Sequence, residues 1–429
     1  MAGPDVFRVV LHSPLGAASL GVRQSIASTI QRNGVIDTLG HRRLDRLKVA
    51  RSILALGRHG HTGVMTSSAA DLLHWFDSLD PTQKVGSRHH TVPQFYLERW
   101  ADESGQTRMY SRDTSEFFKR NITRLGVRDF YTIVTIDGEL DARMEDMFSH
   151  IEGQAAAIFK GLLSSLNPLR VLSEQQATDL AVFICFQMVR GPRHRRELEV
   201  MADWYAKTQL SGQVEDEQLR QMMLTPHPNE HIALMGRLAE ALFEFVFPRP
   251  VAVVFVEGAR LFTSDEPVIV NTGGDHVRHH PDCSLTQADI DKRLARERHK
   301  KAKRRKDVRR VVHFAPTQPR GVQDAIELVL PISPTAALVY GSISEWDRNI
   351  VVAHLNGEEA QEFAQRANNA MCSWALDAVI AHPDDKQFVT TPMPPVQPLM
   401  RVCDGTNAAA DSANQVPIPL RPARLWRHA

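Results

Sequence analysis

The amino-acid sequence predicts an α+β protein, with a mainly helical core followed by a small antiparallel sheet. Three observations carry this. Apolar residues recur near the 3.6-residue period across much of Asp141–Phe247. Short β-rich runs separated by Gly, Pro or Asp occupy 251–340, and a last amphipathic pattern spans Glu358–Ile380. At 429 residues the chain suggests two or three units. Its 43% hydrophobic and 24% charged content excludes a fibrous or wholly disordered chain.

Residues 1–64 mix small residues with Arg and His, contain one helical pattern at Gln24–Leu56, and are expected to form a poorly ordered extension. Met65 precedes Thr-Ser-Ser and an apolar pattern through Leu72, Leu73, Trp75, Phe76 and Leu79, with Ser67 or Ser68 as N-cap. Translation starts at Met1 and at Met65 are therefore both open. The helical core is assigned to 88–248. It opens with a compact aromatic stretch from His89, then strand-like pieces at Thr107–Tyr110 and Phe130–Ile136. In Asp141–Leu166, Met144, Met147, Phe148, Ile151, Ala155, Ile158 and Leu162 mark one helix face. Ser173 and Gln176 form a capping box for the next helix, which is apolar on most sides and ends near Gly191-Pro192. Amphipathic stretches at Glu215–Met223 and Glu230–Phe247 complete the core.

The second unit, 249–382, carries strands expected at Val251–Val256, Leu261–Thr263, Val268–Val270, Ile326–Leu330 and Ala336–Tyr340. It is interrupted by a basic insertion, 286–312, and closed by the last helix. Residues 383–429 are Pro-rich and polar, which predicts a disordered tail.

Four scattered cysteines without a CxxC pair supply neither a disulfide framework nor a four-cysteine zinc site. No spanning segment or signal peptide is evident, so the expected location is cytoplasmic, without a membrane partner. The net charge of +1 conceals an asymmetry. Lys292–Arg310 holds 12 basic and two acidic residues, leaving the remaining chain at −9. Lys300, Lys301, Lys303, Arg304, Arg305 and Lys306 form its densest part, fitted to bind nucleic-acid phosphates, or alternatively to a solvated insertion. It contains no aromatic residue for base stacking. His276, His279, His280 and Cys283 lack the second half of a zinc site and suit a polar loop better. No GxGxxG, phosphate-binding GxxxxGK[ST], HExxH or GxSxG pattern is present.

Six pieces, in order, resemble one bacterial family, domain of unknown function 4238. They are His90-Thr-Val-Pro93-Gln-Phe-Tyr-Leu-Glu-Arg; Asp129-Phe-Tyr-Thr132; Glu145 with Ile151-Glu152; Phe186-Gln-Met-Val-Arg190-Gly-Pro-Arg193; Phe262-Thr-Ser-Asp265-Glu-Pro267; and Leu330-Pro-Ile-Ser-Pro334. The resemblance spans roughly 88–380 and implies a boundary and a motif list, with no activity attached.

The chemistry of these residues suggests a site. His90 lies three residues before Pro93, which fixes the chain, and its imidazole suits general-base or metal-ligand work, or simply caps or buttresses the helix. Glu145 and Glu152 are two helical turns apart and share a face, either as a working pair or as two solvent-facing glutamates. With His90 they form a candidate set for a divalent metal such as Mg or Mn. Asp265 offers a further strand-end carboxylate, or simply a turn former. Arg190 and Arg193 follow an apolar helix, either capping it or gripping an anion. The leading expectation is a metal-assisted hydrolase, perhaps a nuclease. The alternative is a non-enzymatic nucleic-acid-binding or interaction protein using 292–310.

Overall fold

Strand-forming residues from both halves of the chain assemble into two substantial sheets. The computed structural model describes residues 8–11, 89–128, 130–134, 140–141, 143–166, 168–210, 228–271, 311–314, 322–343, 348–396 and 399. A five-stranded sheet has the order β10 (Ile269–Asn271), β12 (Glu327–Ser333), β13 (Ala336–Tyr340), β8 (Val251–Val256) and β14 (Ile350–Leu355). Its pairs are antiparallel except β14–β8, which runs parallel with Ile350 opposite Val251. A four-stranded antiparallel sheet has the order β4 (Glu116–Asn121), β3 (Gln106–Ser111), β15 (Ala378–Ala381) and β9 (Thr263–Ser264). The α+β class therefore holds, but the expected small antiparallel sheet is corrected to two sheets, one of them mixed. Sequence periodicity marks strands individually and carries no information on which distant strands pair.

The five-stranded sheet is covered on both faces. Alternation along β8 sends Val251 and Val253 into a core shared with helices α2 (Arg143–Leu162), α3 (Glu174–Val189) and α5 (Pro228–Val246). Val254 and Val256 face the other way, onto Ala360, Phe363, Ala364, Ala367 and Met371 of α6 (Gly357–Trp374). The apolar stripe of α2 is buried as its spacing predicts, from Met144 to Leu162. α3 begins with the complete Ser173–Gln176 capping box.

Two further elements differ from expectation. The last helix stops at Trp374, and Ala378–Ala381 become the strand β15. Val379 and Ile380 are β-branched, and Asp265 takes the amides of Asp377 and Ala378 as the chain turns into the four-stranded sheet. Residues assigned to the tail also pack: Phe388 is fully buried and meets Phe262 and Phe117 edge-on, at 4.8 and 5.3 Å between ring centres. One aromatic among prolines is enough to pin this stretch to the core. Of the residues before His89, only Arg8–Leu11 are described; they pair in parallel with Val311–Phe314. The helical patterns at Gln24–Leu56, Ser67–Leu79 and Glu215–Met223 lie outside the described residues.

Candidate functional site

The entering segment lies against α2 and leaves a cleft of about 330 Å³ between them. His89, His90, Gln94, Tyr131, Glu145 and Glu152 supply its polar and titratable walls, with Phe95 and Phe148 among its apolar ones. His89 and His90 form the short strand β2, paired with Val127–Arg128. Adjacent residues of a strand point to opposite sides, so His89 is buried and His90 half-buried.

Hydrogen bonding fixes these groups. The amide N–H of Tyr131 donates to His89 Nδ1 at 3.1 Å, which puts the ring proton on Nε2. That nitrogen is 3.5 Å from Glu145 Oε2. Gln94 Nε2 donates to His90 Nε2 at 3.0 Å, which places the proton of His90 on Nδ1. Glu152 is held from behind, its Oε1 accepting from Arg190 Nη1 at 2.7 Å. Arg190 is buried, and its Nε and Nη2 both donate to Gln187 Oε1, at 3.1 and 2.8 Å. Gln187 in turn donates to the carbonyl of Thr91, next to His90, at 3.1 Å. The Tyr131 hydroxyl donates to the Arg190 carbonyl at 2.8 Å, and burial pushes its pKa up, so it remains a donor. One buried network thus ties the carboxylate of α2 to the backbone that carries the histidines.

The sequence-predicted residues divide between this cleft and other places. His90, Glu145 and Glu152 line it together. Asp265 does not line it: it is buried, its Oδ2 accepting the Asp377 amide at 2.7 Å and its Oδ1 that of Ala378 at 3.3 Å. Burial and the neighbouring Asp377 carboxylate raise its pKa. The expected catalytic carboxylate at Asp265 is corrected to a clamp on the chain entering β15. Arg190 and Arg193 were expected to hold an anion, but both are buried and engaged by the protein. Arg193 donates through Nε to the Trp374 carbonyl at 3.0 Å and stacks on that indole, 4.1 Å from its centre. Among the described residues, no three His, Cys, Asp or Glu side chains converge to hold a metal ion. Lys300, Lys301, Lys303, Arg304, Arg305 and Lys306 lie outside the described residues, as does the His276–Cys283 cluster.

Sequence reasoning missed two features. His89 and Tyr131 belong to the cleft, and the signal was available in the adjacent His pair, of which alternation must bury one. The second is a helix, α4 (Pro192–Leu210), beginning where the arginines had been read as the end of α3. Arg195 and Glu199 pair at 3.2 Å, and both are buried. Such i, i+4 spacing is legible but ordinarily marks a solvated face. Nearby, His231 of α5 is buried with no hydrogen-bond partner for either ring nitrogen among the described residues, and its pKa is well depressed by burial. Burial also raises the Glu197 and Glu199 carboxyls to about 7.

No curated protein and no solved structure matches this chain. Residues 88–290, which hold the cleft, its buried network and Asp265, match the family described as Protein of unknown function (DUF4238).

Proposed function

We propose that this protein is a hydrolase acting in the cleft between His89–Gln94 and α2, with nucleic acid as its substrate class. The supporting observation is the convergence of His90 from β2 with Glu145 and Glu152 from one face of α2, Glu152 being held by a buried arginine. In this reading His90 Nε2 takes a proton from the attacking water, displacing the Gln94 amide that occupies its lone pair. His89 directs its Nε2 proton toward Glu145. Two carboxylates fall short of a protein-only metal cage. Magnesium is commonly held by one or two carboxylates plus substrate phosphate oxygens, so a divalent ion would enter with the substrate. The basic run supplies the attraction for a polyanion.

The test is cleavage of single- and double-stranded DNA and RNA, with magnesium or manganese, by the full chain and by His90→Ala. The expected result is cleavage that falls by about 100-fold or more in the variant. A second reading, a binding protein without catalysis, is favoured by the concentration of basic charge in Lys292–Arg310. Salt-sensitive binding without cleavage, abolished by deleting 292–310 and unaffected by His90→Ala, would establish that reading instead.

A further inference from the structure

A second cleft, of about 320 Å³, lies between α6 and the stretch Gln387–Pro392. Its chemistry is unlike the first. Five carboxamides, Gln361, Gln365, Asn368, Asn369 and Gln387, line it with the hydroxyls of Thr390 and Thr391 and the guanidinium of Arg260; among the described residues no carboxylate does. Gln361, Gln365, Asn368 and Asn369 recur at helical spacing along one side of α6.

Two of these amides build the wall. Asn368 accepts the Phe262 amide at 2.8 Å and donates to the Arg260 carbonyl at 2.9 Å, and Gln361 donates to the Gly258 carbonyl at 2.7 Å. They lace the loop bearing Arg260 to the helix. Thr390 and Thr391 both donate to the Gln387 carbonyl, at 2.9 and 3.0 Å, which leaves their oxygen lone pairs turned to other donors. The side chains of Gln365, Asn369, Gln387 and Arg260 have no such structural duty among the described residues and remain available.

We infer that this cleft binds a small sugar bearing one anionic group, such as a uronic acid or a sugar phosphate. Each primary amide presents a donor and an acceptor side by side, matching the alternating donor and acceptor demands of vicinal hydroxyls. Among the described residues Arg260 is the one charged group in the lining, and its planar fork suits a carboxylate or phosphate. The size is that of a small-ligand site. A nucleobase fits less well, because the one aromatic ring among the described lining residues, Phe262, is buried and committed edge-on to Phe388.

The test is saturation-transfer NMR and calorimetric titration of the full chain with glucuronate, glucose 6-phosphate, glucose, adenosine monophosphate and a dipeptide. Arg260→Ala and the double variant Gln365→Ala/Asn369→Ala are measured beside it; none of these side chains holds the fold. Binding of glucuronate or glucose 6-phosphate, stronger than that of glucose and weakened about tenfold or more by each variant, is the expected result. Which of the two binds tighter identifies the anionic group. No binding at millimolar concentration, equal binding of glucose, preference for the nucleotide or dipeptide, or binding unchanged in the variants would each overturn the inference.

Discussion

The carboxylate of Glu266 lies directly against the Cα of Gly191, in the space a β-carbon there would fill. From that position Oε1 accepts the Arg193 amide at 2.6 Å and caps the first turn of α4. The Ser-Asp-Glu-Pro turn and the Gly-Pro-Arg segment are thus halves of one contact. Gly191→Ala drives a methyl group into the carboxylate and is expected to cost about 2–3 kcal/mol of stability in urea denaturation. The double variant Gly191→Ala/Glu266→Ala removes the clash and should lose less than the two single losses added together.

Asp265→Ala is expected to reduce stability by about 1–3 kcal/mol, because two backbone amides at the start of β15 lose their acceptor. On the proposed function, cleavage by the remaining folded protein is expected to be unchanged. A hundredfold loss of turnover with unaltered stability would return Asp265 to the chemistry.

Arg190→Lys retains the charge but not the fork. Gln187 Oε1 then loses the paired donors it has from Nε and Nη2, and an ammonium cannot supply both geometries. A loss of about 1–3 kcal/mol is expected by thermal unfolding.

His231 titrates against folding in acid. Burial depresses its pKa well below 6.5 in the folded state, with the Arg195 and His194 charges acting in the same direction. The unfolded chain takes up a proton near pH 6.5 that the folded chain refuses, so this contribution to stability is lost as pH falls below that value. The half-buried Glu197 and the buried Glu199 act in the opposite sense, favouring the folded state as pH falls from about 7. The histidine is isolated by difference: relative to His231→Phe, the wild type should lose stability as pH drops from about 6.5, measured by urea midpoints at stepped pH. A pH-independent difference would show that His231 does not titrate on unfolding.

Local signals in the sequence were strong where one face of one element decides the outcome. The α2 stripe, the Ser173–Gln176 box and the strands at 251–256 and 336–340 stand where their patterns place them. Glu145 and Glu152 share the cleft because two helical turns bring them to one face. What periodicity does not encode is pairing at long range. The union of Gln106–Ser111 with Ala378–Ala381 was invisible, and so was the burial of Arg190 and Arg193, since arginine is rarely enclosed unless paired. Asp265 shows the same limit: an acidic side chain in a turn looks alike whether it faces substrate or the chain's own amides.

The place of β15 between β3 and β9 also orders events on the ribosome. Met109 cannot meet Ile380, nor Thr263 the same residue, until Ala378–Ala381 have been synthesised. Until then the hairpin of β3 and β4 presents an unpaired edge, an invitation to pair with a neighbouring nascent chain. Closure over so long a sequence separation is intrinsically slow, so the last strand to emerge sets the pace at which the four-stranded sheet is completed.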